Sequence, residues 1–287
     1  MEESWVLAGR EVRVKNLEKV FFPEEGLTKG DLLAYYREVA PFMLSHIRHR
    51  PLTLYQCPDG IQGHCFFRRK LPEYAPEWFP RVYLGKAPLI VVEDEAGLIW
   101  LANQAAIEFH AWNARLPELE YPDRLVLDLD PGEVPFSLVV EAAHVVREEL
   151  KALGLSSWVK TTGGKGLHLF VPLKPERTHA EVRAWAKAFA KRVEEKYGFI
   201  RLPRGRSHEG EGVQIDYAQN GYGRNTAAPY TVRARPGAPV STPLFWEELT
   251  EDLDPKALNL KTVPRRLGQK GDPWAGMLEV AFSLPEL

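Results

Sequence analysis

The chain has 287 residues, 45% of them hydrophobic and 26% charged, which is the composition of an ordinary soluble globular protein of one large domain or two. No apolar run is long enough to cross a bilayer and the Met1-Glu2-Glu3 start is wrong for a signal peptide, so no membrane role is expected. A net charge of −2 argues mildly against a nucleic-acid binder, and two cysteines, Cys57 and Cys65, predict no disulfide framework and a reducing, cytoplasmic location.

In chain order, Val12 to Val14 reads as a short strand. Thr28 opens a helix, with Asp31 three residues on as a capping partner. Its apolar face carries Leu32, Leu33, Tyr36, Val39, Met43, Leu44 and Ile47, and Pro41 predicts a kink or break. From Leu52 to Leu101 the pattern is short strands punctuated by proline and glycine, and Gln104 to Phe109 reads as a short helix. A strand at Leu125 precedes a helix over Ser137 to Leu153. Strands over Trp158–Thr162 and Leu167–Val171 flank a glycine hairpin, and His179 to Tyr197 is a second amphipathic helix. Val213 to Tyr217 and Pro229 to Ala234 read as strands, and the proline-rich tail from Asp254 predicts a wrap over the core. Helices and strands mix without a βαβ repeat, so the expected class is α+β or mixed α/β. No linker cuts the chain, which reads as one domain over 1–287.

The stretch Arg124-Leu-Val-Leu-Asp-Leu-Asp-Pro-Gly132 carries the clearest chemistry. Strand period two puts Asp128 and Asp130 on one face, and Pro131-Gly132 ends the strand. Two carboxylates this close resist joint ionisation, and a divalent cation removes the conflict. An acidic turn closing a buried strand is the other reading. Val213-Gln-Ile-Asp-Tyr217 repeats the logic, with Asp216 opposed to an apolar face. Three such acids can hold two metal ions for phosphoryl transfer. Spacing alone does not bring Asp216 to the other two.

Lys160-Thr-Thr-Gly-Gly-Lys-Gly-Leu-His168 is the second feature. Glycines such as Gly164 expose amides for a phosphate nest, Lys165 adds a charge, Thr162 a hydroxyl and His168 a donor. The spacing is not that of a Walker A loop. A glycine hairpin with an incidental lysine is the plainer alternative. Asp128-x-Asp130 fails as an EF-hand, because Glu133 and Val139 stand where glycine and glutamate are needed. His46-x-x-His49 with Cys57, His64 and Cys65 matches no standard zinc spacing.

Together these residues resemble the polymerase domain of bacterial ligase D, an end-joining branch of the archaeo-eukaryotic primase superfamily. The Leu-Asp-Leu-Asp-Pro-Gly strand, the Thr-Thr-Gly-Gly-Lys-Gly-Leu-His hairpin, Ile-Asp-Tyr-Ala-Gln-Asn and Ala-Pro-Tyr-Thr-Val-Arg-Ala-Arg-Pro-Gly-Ala-Pro-Val occur in the family's order over nearly the whole chain. The resemblance implies a primase-polymerase-like fold of mostly antiparallel central sheets flanked by helices. It also implies a DNA-end-binding part over 1–120, a catalytic core over 121–240 and a C-terminal wrap over 241–287.

By that resemblance Asp128, Asp130 and Asp216 are the catalytic, metal-binding acids, holding two Mn²⁺ or Mg²⁺ ions. Thr162, Lys165, His110 and Arg233 contact the phosphates of an incoming nucleoside triphosphate, and Gln219 is a polar neighbour. Asn16, Lys19 and Lys29 grip a DNA 5′-phosphate, and Phe66 and Phe67 stack on template bases. The implied activity is template-directed extension of 3′ ends at gaps, nicks or overhangs, favouring ribonucleotides. Its implied partners are an end-binding protein and a separate DNA ligase. De novo priming and a non-catalytic DNA-end-binding module are the alternatives. One stretch departs from the family: Arg206-Ser-His-Glu-Gly-Glu-Gly212 stands where a Lys-x-x-Arg-x-Gly-Lys run is usual. Arg206 keeps the first charge, while Glu209 and Gly212 replace two cations.

Overall fold

The computed structural model describes residues 2–203 and 212–287, so Arg206 and Glu209 lie outside the described residues. The first third of the chain forms β1 (Glu2–Leu7), β2 (Arg10–Lys15), β3 (Val20–Phe22), β4 (Leu27–Thr28) and α1 (Lys29–Ile47). There follow β5 (Leu52–Gln56), β6 (Phe66–Arg68), β7 (Val82–Leu84), β8 (Ala87–Leu89), α2 (Glu95–Asn103) and β9 (Ala106–Trp112). Then come β10 (Arg124–Asp130), α3 (Phe136–Ala152), β11 (Trp158–Thr161), β12 (Leu167–Pro172) and α4 (His179–Lys196). The remainder gives β13 (Ile200–Arg201), β14 (Val213–Asp216), β15 (Asn225–Ala227), β16 (Pro243–Leu244) and α5 (Thr262–Lys270). The class is mixed α/β with antiparallel sheets, as the sequence predicts, and the parallel pair β13–β14 is the exception among the described strands.

Two compact units result. The first comprises Met1–Trp112, Asn225–Ser241 and Lys256–Gly271. Its main sheet has the order β15-β9-β5-β6. Helix α1 begins at the expected capping box, where Thr28 accepts from the Asp31 amide and Asp31 accepts from the Thr28 amide. Its buried tyrosines tie it down: Tyr36 donates to the Ile107 carbonyl and packs edge-on against Phe109, while Tyr35 donates to the Tyr230 carbonyl.

The second unit comprises Asn113–Arg224, Thr242–Pro255 and Asp272–Leu287, built on a sheet of order β13-β14-β10-β12-β11-β16. One face of that sheet is mostly apolar: Leu125, Leu127 and Leu129 with Leu167, Leu169, Val159 and Ile215, all fully buried. Helices α3 and α4 pack against the sheet. On the other face Val126 and Phe170 are sealed by Trp274 and Met277, so the end of the tail does cover this core. Burial of each such side chain contributes about 1.5–3 kcal/mol.

Several expectations are corrected. Helix α1 runs unbroken through Pro41. Glu95–Asn103 is a helix capped by Asp94, whereas strands were expected up to Leu101. The segment expected as a short helix from Gln104 is strand β9, whose Ile107, Phe109 and Ala111 alternate with Glu108 and His110. Asn225–Ala227 is the strand of its region, and Pro229 to Ala234 is a turn with an isolated Val232–Val240 bridge. Cys57 and Cys65 form a disulfide, so the cysteine pair no longer argues for a reducing compartment. It is a local staple across eight positions rather than a framework.

Candidate active site

Register, not spacing, assembles the acids. In the second unit Asp128 on β10 lies directly opposite Asp216 on β14 and, on its other side, opposite His168 on β12. His168 in turn faces Lys160 on β11. Directly opposed residues share a face of the sheet, so Asp216, Asp128, His168 and Lys160 form one polar row across four strands. Asp130 is one pleat further along, opposite Gln214.

This row is electrostatically unfinished at its acidic end. Burial raises the Asp216 carboxyl above its ordinary pKa, and the Asp128 charge raises it further, against the Ala218 amide that donates to it at 2.7 Å. Gln219, expected near the nucleotide, also hydrogen-bonds Asp216, and the Arg224 charge attracts it. His168 Nε2 stands 3.4 Å from Asp128 Oδ1. Asp130 accepts from the Gly132 amide at 2.9 Å, the turn contact that stops β10. Lys160 is fully buried in the row with its ammonium 5.7 Å from the Phe170 ring centre. Sequence reasoning named the segment but not this lysine as a site residue, and its place beside His168 emerges only from the pairing.

The glycine hairpin is fastened to the acidic strand. A Cβ on Gly166 would stand 2.5 Å from the Leu129 carbonyl oxygen, a distance only glycine permits. Gly163 has φ +77°, and Thr162 Oγ accepts from the Gly164 amide at 3.2 Å, shaping the turn. Lys165 is exposed at its tip. Gly212, read as a lost cation, has φ +137°, and a Cβ there would stand 2.5 Å from the Phe199 carbonyl oxygen. The backbone at this position requires glycine.

His110 and Arg233 belong to the first unit, where sequence reasoning missed the residue that joins them. Glu108 Oε2 is 2.8 Å from His110 Nε2, and Glu108 Oε1 is 3.3 Å from Arg233 Nε while accepting from the Ala234 amide at 2.9 Å. Burial pushes Glu108 up, but the His110 hydrogen bond and the Arg233 charge outweigh it and bring its pKa down to about 2. The alternation of β9 puts Glu108 and His110 on one face, a signal hidden when the segment is read as a helix.

Also in the first unit, Asn16, Lys19 and Lys29 line one cleft of about 340 Å³, together with Gln56, Phe66 and Arg68. Asn16 takes the left-handed conformation, φ +57°, and Lys29 lies buried with its ammonium donating to the Lys15 carbonyl at 2.7 Å. Burial and the Lys19 charge lower the Lys29 pKa to about 8. Phe66 walls the cleft with Arg68 over its ring. Phe67 points the other way, 59% exposed and packed on Tyr55.

Among the described residues no group of three or more His, Cys, Asp or Glu side chains is arranged to hold a metal ion by itself, and no helix is long and apolar enough to cross a membrane. The donor set still fits a hard cation. Mg²⁺ and similar ions retain waters and bind through one or two carboxylates plus substrate phosphate rather than in an all-protein cage.

Comparison with known proteins gives this geometry a lineage. The Pseudomonas aeruginosa multifunctional non-homologous end joining protein LigD is 36% identical over 276 residues, covering 92% of this chain and 32% of that protein. The Bacillus subtilis bifunctional non-homologous end joining protein LigD is 32% identical, covering 90% of this chain and 43% of that protein. The chain therefore spans less than half the length of these relatives. The solved polymerase domain from Mycobacterium tuberculosis ligase D, in complex with DNA, superposes with a TM-score of 0.87 at 32% identity, over 94% of this chain and 99% of that one. The family description "LigD, primase-polymerase domain" matches residues 28–274, which include the acid row, the glycine hairpin, the Glu108 cluster and Lys29. The chain belongs to the LigD primase-polymerase family.

Proposed function

We propose that this chain is a DNA-repair nucleotidyltransferase that extends 3′ ends on a template at gaps or broken ends. The observation that carries the reading is the in-register opposition of Asp128 and Asp216 beside a glycine hairpin. Burial and the charge of Asp128 opposite it raise the Asp216 pKa, and a divalent cation placed between the two carboxylates lowers the free energy. Asp128, Asp130 and Asp216 would hold Mg²⁺ or Mn²⁺, which would supply charge stabilisation for phosphoryl transfer. Two ions per site is the form of this chemistry we favour.

The chain's own residues do the remainder. The Gly163–Gly166 amides, Lys165 and the Thr162 hydroxyl bind nucleotide phosphates, and His168 orients Asp128 across the strand pair. Gln219 orients Asp216. In the first unit, Glu108 holds His110 and Arg233 as phosphate-binding groups, and we assign them to nucleotide phosphate as well. Asn16, Lys19 and Lys29 bind the DNA 5′-phosphate, and exposed Phe67 offers a ring on which a template base stacks. Ribonucleotide preference, an end-binding partner and a cooperating ligase belong to the same proposal.

The test is extension of a gapped duplex with NTP or dNTP, in Mg²⁺ or Mn²⁺. Template-dependent addition is expected, greater with NTP. No addition under any of the four conditions, by protein that binds gapped DNA, overturns the polymerase reading and leaves a DNA-end-binding module.

A further inference from the structure

We propose that Asp59, presented by the disulfide-closed Cys57–Cys65 loop, is a resident anion at the cationic cleft, which a DNA 5′-phosphate must displace from Lys19 in order to bind. The proposal rests on the reading of Asn16, Lys19 and Lys29 as a phosphate pocket. The cleft has three cationic side chains in its described lining, Lys19, Lys29 and Arg68, and no carboxylate. One of those cations is already engaged from outside: Lys19 Nζ is 2.6 Å from Asp59 Oδ1.

The placement of Asp59 is built. The disulfide closes its loop across eight positions. Ile61 donates its amide to the Phe21 carbonyl at 2.9 Å, seating the loop on β3, the strand that follows Lys19 directly. Between them Gly60 has φ +79°, and a Cβ there would stand 3.0 Å from the carbonyl oxygens of both Val20 and Phe21. The left-handed conformation and this tight approach both favour glycine, next to the Asp59 that meets Lys19.

The pair is suited to exchange rather than to stability. Its side chains are 40% and 72% exposed, so the contact is weak and water reaches it. A terminal phosphate carries nearly two charges and three acceptor oxygens, and it outcompetes a single carboxylate for the lysines. The apparent affinity for phosphate is then the intrinsic one reduced by the fraction of Lys19 that is unpaired. Exposed pairs of this kind imply a reduction of about two- to fivefold.

The experiment measures binding of gapped duplexes with a 5′-phosphate or a 5′-hydroxyl by fluorescence anisotropy at fixed salt. Asp59→Asn should tighten binding of the phosphorylated duplex about two- to fivefold and leave the hydroxyl duplex unchanged. In a Lys19→Ala background the same substitution should have no effect. Dithiothreitol provides the second arm: it transfers two electrons and two protons to the Cys57–Cys65 bond, giving two thiols, and closes to its own cyclic disulfide. The wild type should then approach the affinity of Asp59→Asn, and Asp59→Asn itself should not change. Equal tightening on both duplexes, or tightening that survives Lys19→Ala, means general charge repulsion and overturns the proposal. A reductant effect that persists in Asp59→Asn, or none in wild type, overturns the role of the disulfide. A wild type that binds both duplexes equally fails earlier, because it removes the phosphate pocket itself.

Discussion

Glu108 and Asp216 are both carboxylates withdrawn from water on neighbours-rich strands, and their surroundings drive them in opposite directions. Glu108 meets His110, Arg233 and the Ala234 amide, and its pKa falls to about 2. Asp216 is raised by burial and by Asp128 opposite it. The first cluster is complete in itself: an acid between an imidazole and a guanidinium, holding both in place. The second is short of positive charge, and its stability and its chemistry pull against each other. A site that must take up a cation gains from staying uncompensated, whereas a site that only positions side chains gains from compensation.

The sharpest way to break this comparison is to neutralise each acid. Asp128→Asn or Asp216→Asn should lower extension about a thousandfold or more, since metal-borne charge stabilisation is lost. The same substitutions should leave the metal-free protein as stable or raise its melting temperature, because a repelling charge has gone. A large fall in melting temperature would mean that the acids are structural. Near wild-type extension by Asp216→Asn would remove that residue from the site.

Next in size is the fastening of the hairpin to the acidic strand. Gly166→Ala places a methyl 2.5 Å from the Leu129 carbonyl oxygen, so the hairpin must move away from β10. A displacement of about 1 Å at a reacting centre costs on the order of a hundredfold in rate. Single-turnover extension with saturating nucleotide should show that loss, while anisotropy with gapped DNA stays the same. Unchanged turnover would mean that the hairpin's position does not matter to the chemistry.

Glu108→Gln tests the compensated cluster. The lowered pKa stabilises the fold while Glu108 is ionised, which is above its unfolded value near 4.5. That contribution, about 3 kcal/mol at neutral pH, is lost as pH falls through about 4.5 towards 2. Denaturant unfolding should find Glu108→Gln less stable by about that amount at pH 7, with the gap closing on acidification. The nucleotide KM should rise about tenfold with a smaller change in kcat, the pattern of lost ground-state binding. A gap that does not narrow in acid would refute the ion cluster.

The contrast between the two acids also marks what the sequence discloses. Asp128 and Asp130 are legible because strand period two is written into Leu125, Leu127 and Leu129, and the helix at Thr28 because its capping box is local. The opposition of Asp128 to Asp216 spans 88 residues of chain (216 − 128) and is set by β10–β14 register, which no local pattern encodes. Glu108 was missed for a nearer reason. Helix-forming Gln104, Ala105 and Ala106 masked the alternation that follows, and on a helix Glu108 and His110 would face apart. Lys160 looks like a hairpin flank until its pairing with His168 puts it in the row. The Cys57–Cys65 pair shows the limit of counting, since two cysteines excluded a framework but not a local staple.

The smallest expected effect extends the comparison to a cation. Lys29 is buried beside Lys19, and both burial and that neighbour lower its pKa to about 8, with Glu18 acting weakly the other way. Asp59 is paired with Lys19. A phosphate needs the charged ammonium, so affinity for a 5′-phosphorylated gap should fall as pH rises through about 8, well before an ordinary lysine would discharge. Ten-fold fewer protons at pH 9 leave most Lys29 neutral, and the phosphate-dependent part of binding should drop about three- to tenfold between pH 7 and 9. Lys19→Ala removes one of the two causes of the low pKa. It should weaken binding at pH 7 yet move the alkaline fall to higher pH. The binding curve of the hydroxyl duplex supplies the baseline, since the pocket is not engaged there. If the phosphate-dependent part is flat to pH 9 in wild type, Lys29 is not a ligand of the phosphate. If it falls but does not move in Lys19→Ala, the two lysines do not share a ligand, and the cleft's cations act separately.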